Sequence, residues 1–455
     1  MKSFARHSLV AGALASMFVA AAVQARGLSH PIDTDFNARV SITGPAYPGS
    51  TVDIAGRGFK AGQDVQLLRD GSPITTHDIF RIGEDGRFKG SVVVPPEAPV
   101  GLHPVVVQVV NPGAAEIFKL KVSPRIPFAG VENFDIATNR LEPGLYMAGY
   151  SKKNNALFVT STVGRPPVRV SKLMKVDPDT LQISKSVTPP NDSTGQQLQG
   201  VYGVAVDDVN GNVWVGNTRT GSIGVYRQDD LANIKQFPDK LVPHSRELAI
   251  DSSRGRVYVA AVGTPDVYVF DTRSLEHIDT VTLRSPTRVR EMPSPMGFAI
   301  DEVNGLIYVV ASTEQIYVLN ADTRKIDKVF NLKGAENATA VALAPREQLL
   351  FVASQDTDNL LIVDAASGEV RHDVKVGAGP LSVTWDNYKQ VAYVASRASD
   401  SIAVVNTAGK LVANIPGGSY ANHVITDGDG TIFAVNKART PDDPAGDHIR
   451  RIFMR

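Results

Sequence analysis

The side chains with the most chemical potential in this chain are basic and lie in loops. Arg219, Arg246, Arg284, Arg288, Arg290, Arg397 and Lys437, with Arg165, Arg169 and Arg439, fall between short apolar segments. Clustered guanidinium and ammonium groups can track phosphates, and Tyr202 and Tyr420, on connections among them, are placed to stack on bases. Acidic residues such as Asp192, Asp239, Asp356, Asp358 and Asp400 share these loops, so a solvated rim with scattered ion pairs would use the same letters. His423 opens an apolar strand and His244 stands near Glu247, which allows anion contact or general acid–base work, or plain structural hydrogen bonding. Asp442, Asp443, Asp447 and His448 put three carboxylates and an imidazole into one loop, a donor set for a hard cation or simply a polar loop.

Composition narrows the chemistry. The 455 residues carry 47 basic and 47 acidic side chains and no cysteine. Disulfides, thiolate-bound zinc, iron–sulfur clusters and thiol nucleophiles are thereby excluded. Neutrality argues against a uniformly basic nucleic-acid coat. GxSxG, HExxH, GxGxxG and the GxxxxGK phosphate loop are all missing, so the expectation is a binding protein with no cofactor and no metal. A hydrolase or lyase built on His244, Glu247 and His423 is the weaker alternative.

Residues 1–25 read as a secretory signal: Lys2 and Arg6 precede an apolar run, and Val23-Gln24-Ala25 is a small-x-small cleavage site. The run is shorter than the ~20 residues of a membrane span, and no later stretch qualifies, so the expectation is an exported, periplasmic protein without an integral membrane segment. Residues 33–124 alternate apolar and polar positions between Gly, Pro and Asp clusters, with Asp70-Gly71 and Asp85-Gly86 as turns. That is the pattern of a small antiparallel sandwich. The strings Gly58-Phe59-Lys60-Ala61-Gly62 and Asp85-Gly86-Arg87-Phe88 resemble bacterial immunoglobulin-like domains, which implies a spacer or adhesion module.

From residue 132 to 455 one motif recurs, a strand of aromatic-Val-small type: Phe158-Val159-Thr160, Trp214-Val215-Gly216, Tyr258-Val259-Ala260, Tyr308-Val309-Val310, Phe351-Val352-Ala353, Tyr393-Val394-Ala395 and Phe433-Ala434-Val435. Its spacing, about 40 to 56 residues, is that of propeller blades. An alternating strand precedes each copy and a third strand follows it, so each repeat predicts a four-stranded blade. The seventh copy ends at its third strand, and residues 133–139 are the expected donor of its fourth. The long insertions, near residues 163–169, 188–200, 235–245, 284–295 and 437–448, all map to one face of the disc.

These repeats resemble the YVTN-repeat seven-bladed propellers. Ser245-Arg246-Glu247-Leu248, Gly216-Asn217-Thr218 and Pro441-Asp442-Asp443 are similar to strings of the periplasmic YncE group. The resemblance implies an all-β, seven-bladed propeller that binds single-stranded DNA and is not an enzyme. Residues 444–448 interrupt the run after the paired aspartates, a departure from that pattern. Arg246, Arg219, Arg397, Lys437, Arg284, Arg288 and Arg290 are expected on phosphates, with Tyr202 or Tyr420 stacking. The alternative is a module that contacts an envelope protein or polymer, with the sandwich as a second surface.

Overall fold

A computed structural model describes residues 31–284 and 292–455. The signal-peptide reading of residues 1–25 and the site residues Arg288 and Arg290 therefore lie outside the described residues. Seven four-stranded antiparallel sheets make up most of the rest, and their first strands touch one another in a closed cycle. This is an all-β, seven-bladed propeller. Among the described residues no helix is long and apolar enough to cross a membrane.

The gradient across each blade explains the sequence pattern. Second strands such as Asn212–Asn217 and Val391–Ser396 are buried at every position, because both faces are covered by neighbouring blades. Fourth strands such as Ile183–Val187 lie on the rim and keep only partial cover. The aromatic residue of each repeat is the wedge between blades: Phe158, Trp214, Tyr258, Tyr308, Phe351, Tyr393 and Phe433 are all 2 % exposed or less. Burying such a side chain contributes about 1.5–3 kcal/mol. Trp214 packs against Phe237 and Phe270, and Trp385 stacks on Phe351 at 4.9 Å, so both tryptophans are core residues.

The seventh blade is completed from both ends of the repeat region. Strand Phe134–Arg140 pairs along its length with His448–Met454, from Met454 opposite Phe134 to His448 opposite Arg140. The donor strand is thus the segment the missing fourth strand had pointed to.

Before the propeller, strands Arg39–Thr43, Thr51–Arg57 and Arg87–Val93 form one sheet, and Asp64–Arg69, Gly101–Val110 and Ala114–Val122 with two short pieces form another. Ile54, Val65, Leu67, Phe88, Val105 and Val107 fill a core of their own between them. This unit rests on the propeller. Lys121 reaches the buried Asp358 carboxylate and the Gln355 carbonyl, both at 2.7 Å, and Lys119 meets Glu336 at 3.4 Å. Gln355 and Asp358 follow the second strand of blade five, so the unit sits on the same face as the long insertions.

Candidate anion-binding site

The first strand of every blade lines the central channel, and in every blade its pairing with the second strand shifts register near its start. A bulge re-aims the side chains beside it. The positions concerned are Tyr146, Tyr202, Arg246, Met296, Thr339, Leu381 and Asn422, the second residue of each first strand. Arg397 and Lys437 come from a second set of equivalent places, directly after the second strands of blades six and seven, and Arg219 stands one residue beyond that place in blade two. Together the two sets form the mouth of the channel.

Four cations gather there. Arg246 is 8 % exposed and its Nη1 donates to the carbonyls of Met296 and Thr339, each at 3.2 Å. Arg219 Nε donates to the Tyr202 hydroxyl at 3.1 Å, and its guanidinium lies 5.6 Å from the centre of that ring. Lys437 donates to the Thr162 carbonyl at 3.2 Å and stands 5.8 Å from the Tyr146 ring. Arg397 holds the Asn422 side-chain oxygen at 3.0 Å and lies 4.7 Å from the Tyr420 ring. Among the described residues none of the four has a carboxylate within ion-pair distance. Burial, then the charge of Arg397, lower the Lys437 ammonium below its ordinary value, with Arg219 adding to this and Asp447 pulling the other way; burial with Arg219 and Arg246 lowers His244.

The remaining sequence candidates divide. Tyr202 is 5 % exposed and edge-on to Tyr146, with ring centres 4.7 Å apart, so it is a wall of the mouth and not a free stacking platform as expected. Tyr420 is half-buried with the Arg397 and Arg439 guanidinium groups each 4.7 Å from its centre. His423 was expected to touch an anion. It lies inside the channel, its Nδ1 accepts the Ala148 N–H at 3.4 Å, and burial with Arg246 pushes it down to about 4, so it is neutral. Arg284 is exposed beyond the outer strand of blade three, and among the described residues it makes no hydrogen bond or ion pair with the cluster. Asp447 is spent on the N–H groups of Gly144, Leu145 and Ala438, and Asp443 on those of Arg439 and Ala445. Asp442, Asp443, Asp447 and His448 therefore do not converge, and no group of three metal-capable side chains occurs among the described residues.

Tyr146 and Asn422 were not foreseen. Their positions match those of Tyr202 and Arg246 in their own blades, and that equivalence was the available signal. Loops 188–200 and 235–245 brace each other: Asp239 accepts the Ser193 N–H at 2.7 Å and the Gln199 amide at 2.8 Å.

Below the mouth, Arg246, Glu247, Ser382, Asn422 and His423 enclose a cavity of about 10 Å³, room for roughly one water molecule. Burial pushes the Glu247 carboxyl up to about 7, against the pull of Arg246 and the Phe298 N–H. A carboxyl raised in the folded state gives its full contribution to stability below the unfolded value, and loses it as pH rises through the folded value. From an ordinary 4.5 to about 7 the loss is about 3 kcal/mol at alkaline pH. Glu247→Gln is expected to flatten the fall in urea stability between pH 5 and pH 8.5. A variant as pH-sensitive as the parent would disprove the assignment.

Comparison with known proteins fits the propeller fold. Residues 302–388 match the WD40 domain family of anaphase-promoting complex subunit 4. The uncharacterized protein YncE of Salmonella typhi is 19 % identical over 331 residues, covering 68 % of this chain and 89 % of that protein. YncE of Escherichia coli K12 is 21 % identical over 239 residues, covering 50 % of this chain and 64 % of that protein. The chain carries a YncE-like β-propeller. The YncE match is long enough to take in several blades, whereas the WD40 match spans only blade four to the start of blade six. Propellers of the YncE and WD40 kinds are mostly non-catalytic.

Proposed function

We propose that the protein is an exported, periplasmic binding protein without catalytic activity, whose propeller mouth holds the phosphates of single-stranded DNA or a similar extended polyanion. The observation that carries this reading is the gathering of Arg219, Arg246, Arg397 and Lys437 without carboxylate partners among the described residues. Bringing like charges together costs free energy, and an anionic ligand offsets it. The amino-terminal unit, taken as an immunoglobulin-like module, then serves as part of the same face.

The test is binding of the mature protein to a labelled single-stranded oligonucleotide across a salt series, with duplex of equal length as competitor. Each phosphate neutralised on a single strand contributes about −0.7 to the slope of log K against log salt, so four contacts give roughly −3. Absence of binding at low salt, or a slope near zero, would overturn the proposal.

A further inference from the structure

We propose that the amino-terminal unit completes the binding surface, so that one single strand of phosphates runs from the propeller mouth across blade six onto Arg125. The inference rests on the polyanion reading above and deepens it. Arg397 and Arg439 both lie against the Tyr420 ring. On the other side of the domain junction, Arg125 lies 4.5 Å from the centre of the Tyr47 ring. Tyr47 sits close enough to blades five to seven that Asp358, Asp400 and Arg439 all bear on its hydroxyl. Cation and tyrosine therefore alternate from the channel rim to the first domain.

The acids beside this track are already matched. Asp400 pairs with Arg439 at 2.6 Å and accepts the Tyr420 N–H, and Asp358 pairs with Lys121. Lys437, Arg397 and Arg125 keep their charge for a ligand, because none has a carboxylate partner among the described residues. Arg125 is exposed, and it precedes the connector whose Ile126 and Pro127 carbonyls are held by Asn414 of blade six. Its backbone is thus anchored to the propeller while its side chain is open to solvent. A track spread over two domains fits a polymer with regularly spaced charges better than a small anion, and the flat tyrosine rings beside it favour a nucleic-acid strand.

The experiment uses the full mature chain with oligothymidylates of about 4 and about 16 nucleotides, the range of single-strand site sizes. Arg125→Ala is expected to weaken the long oligonucleotide about tenfold and to reduce its salt slope by about 0.7, with the short one unchanged. Arg125→Lys is expected to keep the slope. Long-oligonucleotide binding unaltered by Arg125→Ala would overturn the inference, as would equal losses at both lengths. If Arg397→Gln weakens both lengths while Arg125→Ala weakens neither, the mouth stands and the two-domain track falls. If neither variant changes either length, both readings fall. A sulfated polysaccharide that outcompetes the long oligonucleotide would overturn the nucleic-acid assignment.

Discussion

Replacing Arg397 and Lys437 together by glutamine is expected to weaken single-strand binding about 100-fold at low salt, each lost cation–phosphate contact accounting for about tenfold. The same double variant is expected to be at least as stable to urea as the parent. Lys437 is half-buried, and burial, then Arg397 and Arg219, lower its affinity for a proton against the opposing pull of Asp447. Removing two of these charges relieves repulsion that the free protein carries. Loss of affinity together with kept or raised stability is the mark of a ligand site, because a merely structural cluster would lose stability when cut. Anisotropy titrations and urea unfolding of the same preparation give both numbers. Unchanged affinity with an unchanged salt slope would show that the mouth is not where the strand binds.

The second large effect concerns how the channel is built. Gly203 is the third residue of blade two's first strand, and a Cβ added there would stand 2.0 Å from the Arg246 carbonyl oxygen and 2.7 Å from Leu248 Cδ1. Blades two and three approach this closely only because glycine leaves the space empty. Gly203→Ala must push the two strands apart, at an expected cost of about 3 kcal/mol, with a displaced Arg246 and weaker anion binding as a consequence. Gly83→Ala, where the nearest atom is the Asp85 carboxylate oxygen at 3.8 Å, is the matched control and should stay within error. Equal denaturation midpoints for the two variants would refute the close contact.

The architecture was legible because it is written seven times. An aromatic wedge such as Tyr258 or Tyr393 is buried between neighbouring blades, and that demand leaves an aromatic residue at the same place in every repeat. The missing fourth strand of the last copy likewise announced where the ring closes. Arg219, Arg397 and Lys437 could be found because each lies two or three residues after such a string. Tyr146 and Asn422 had only their equivalence with Tyr202 and Arg246 to mark them, because the bulge that selects the inward-facing residue is a backbone event with no letter of its own. Tyr202 was misjudged for the same reason: read as part of a connection it looks free, but as the second residue of a bulged strand it is a wall. The seat of the amino-terminal unit on blade five depends on Lys119 and Lys121 finding Glu336 and Asp358, and nothing in four ordinary surface letters marks them as partners.

The pairing of Phe134–Arg140 with His448–Met454 also sets an order of events. On the ribosome the outer strand of the last blade is made before any other part of the propeller, and its partner is made last. Arg455 and Asp135, joined at 2.7 Å, stand 320 residues apart in the chain. Six blades can form from neighbouring segments as they emerge, but the ring stays an open arc until His448–Met454 arrives. A contact that spans so much sequence is slow to form. Loss of the strand His448–Met454 would therefore leave the disc unlatched, with the unpaired edges of an open sheet exposed on blade seven.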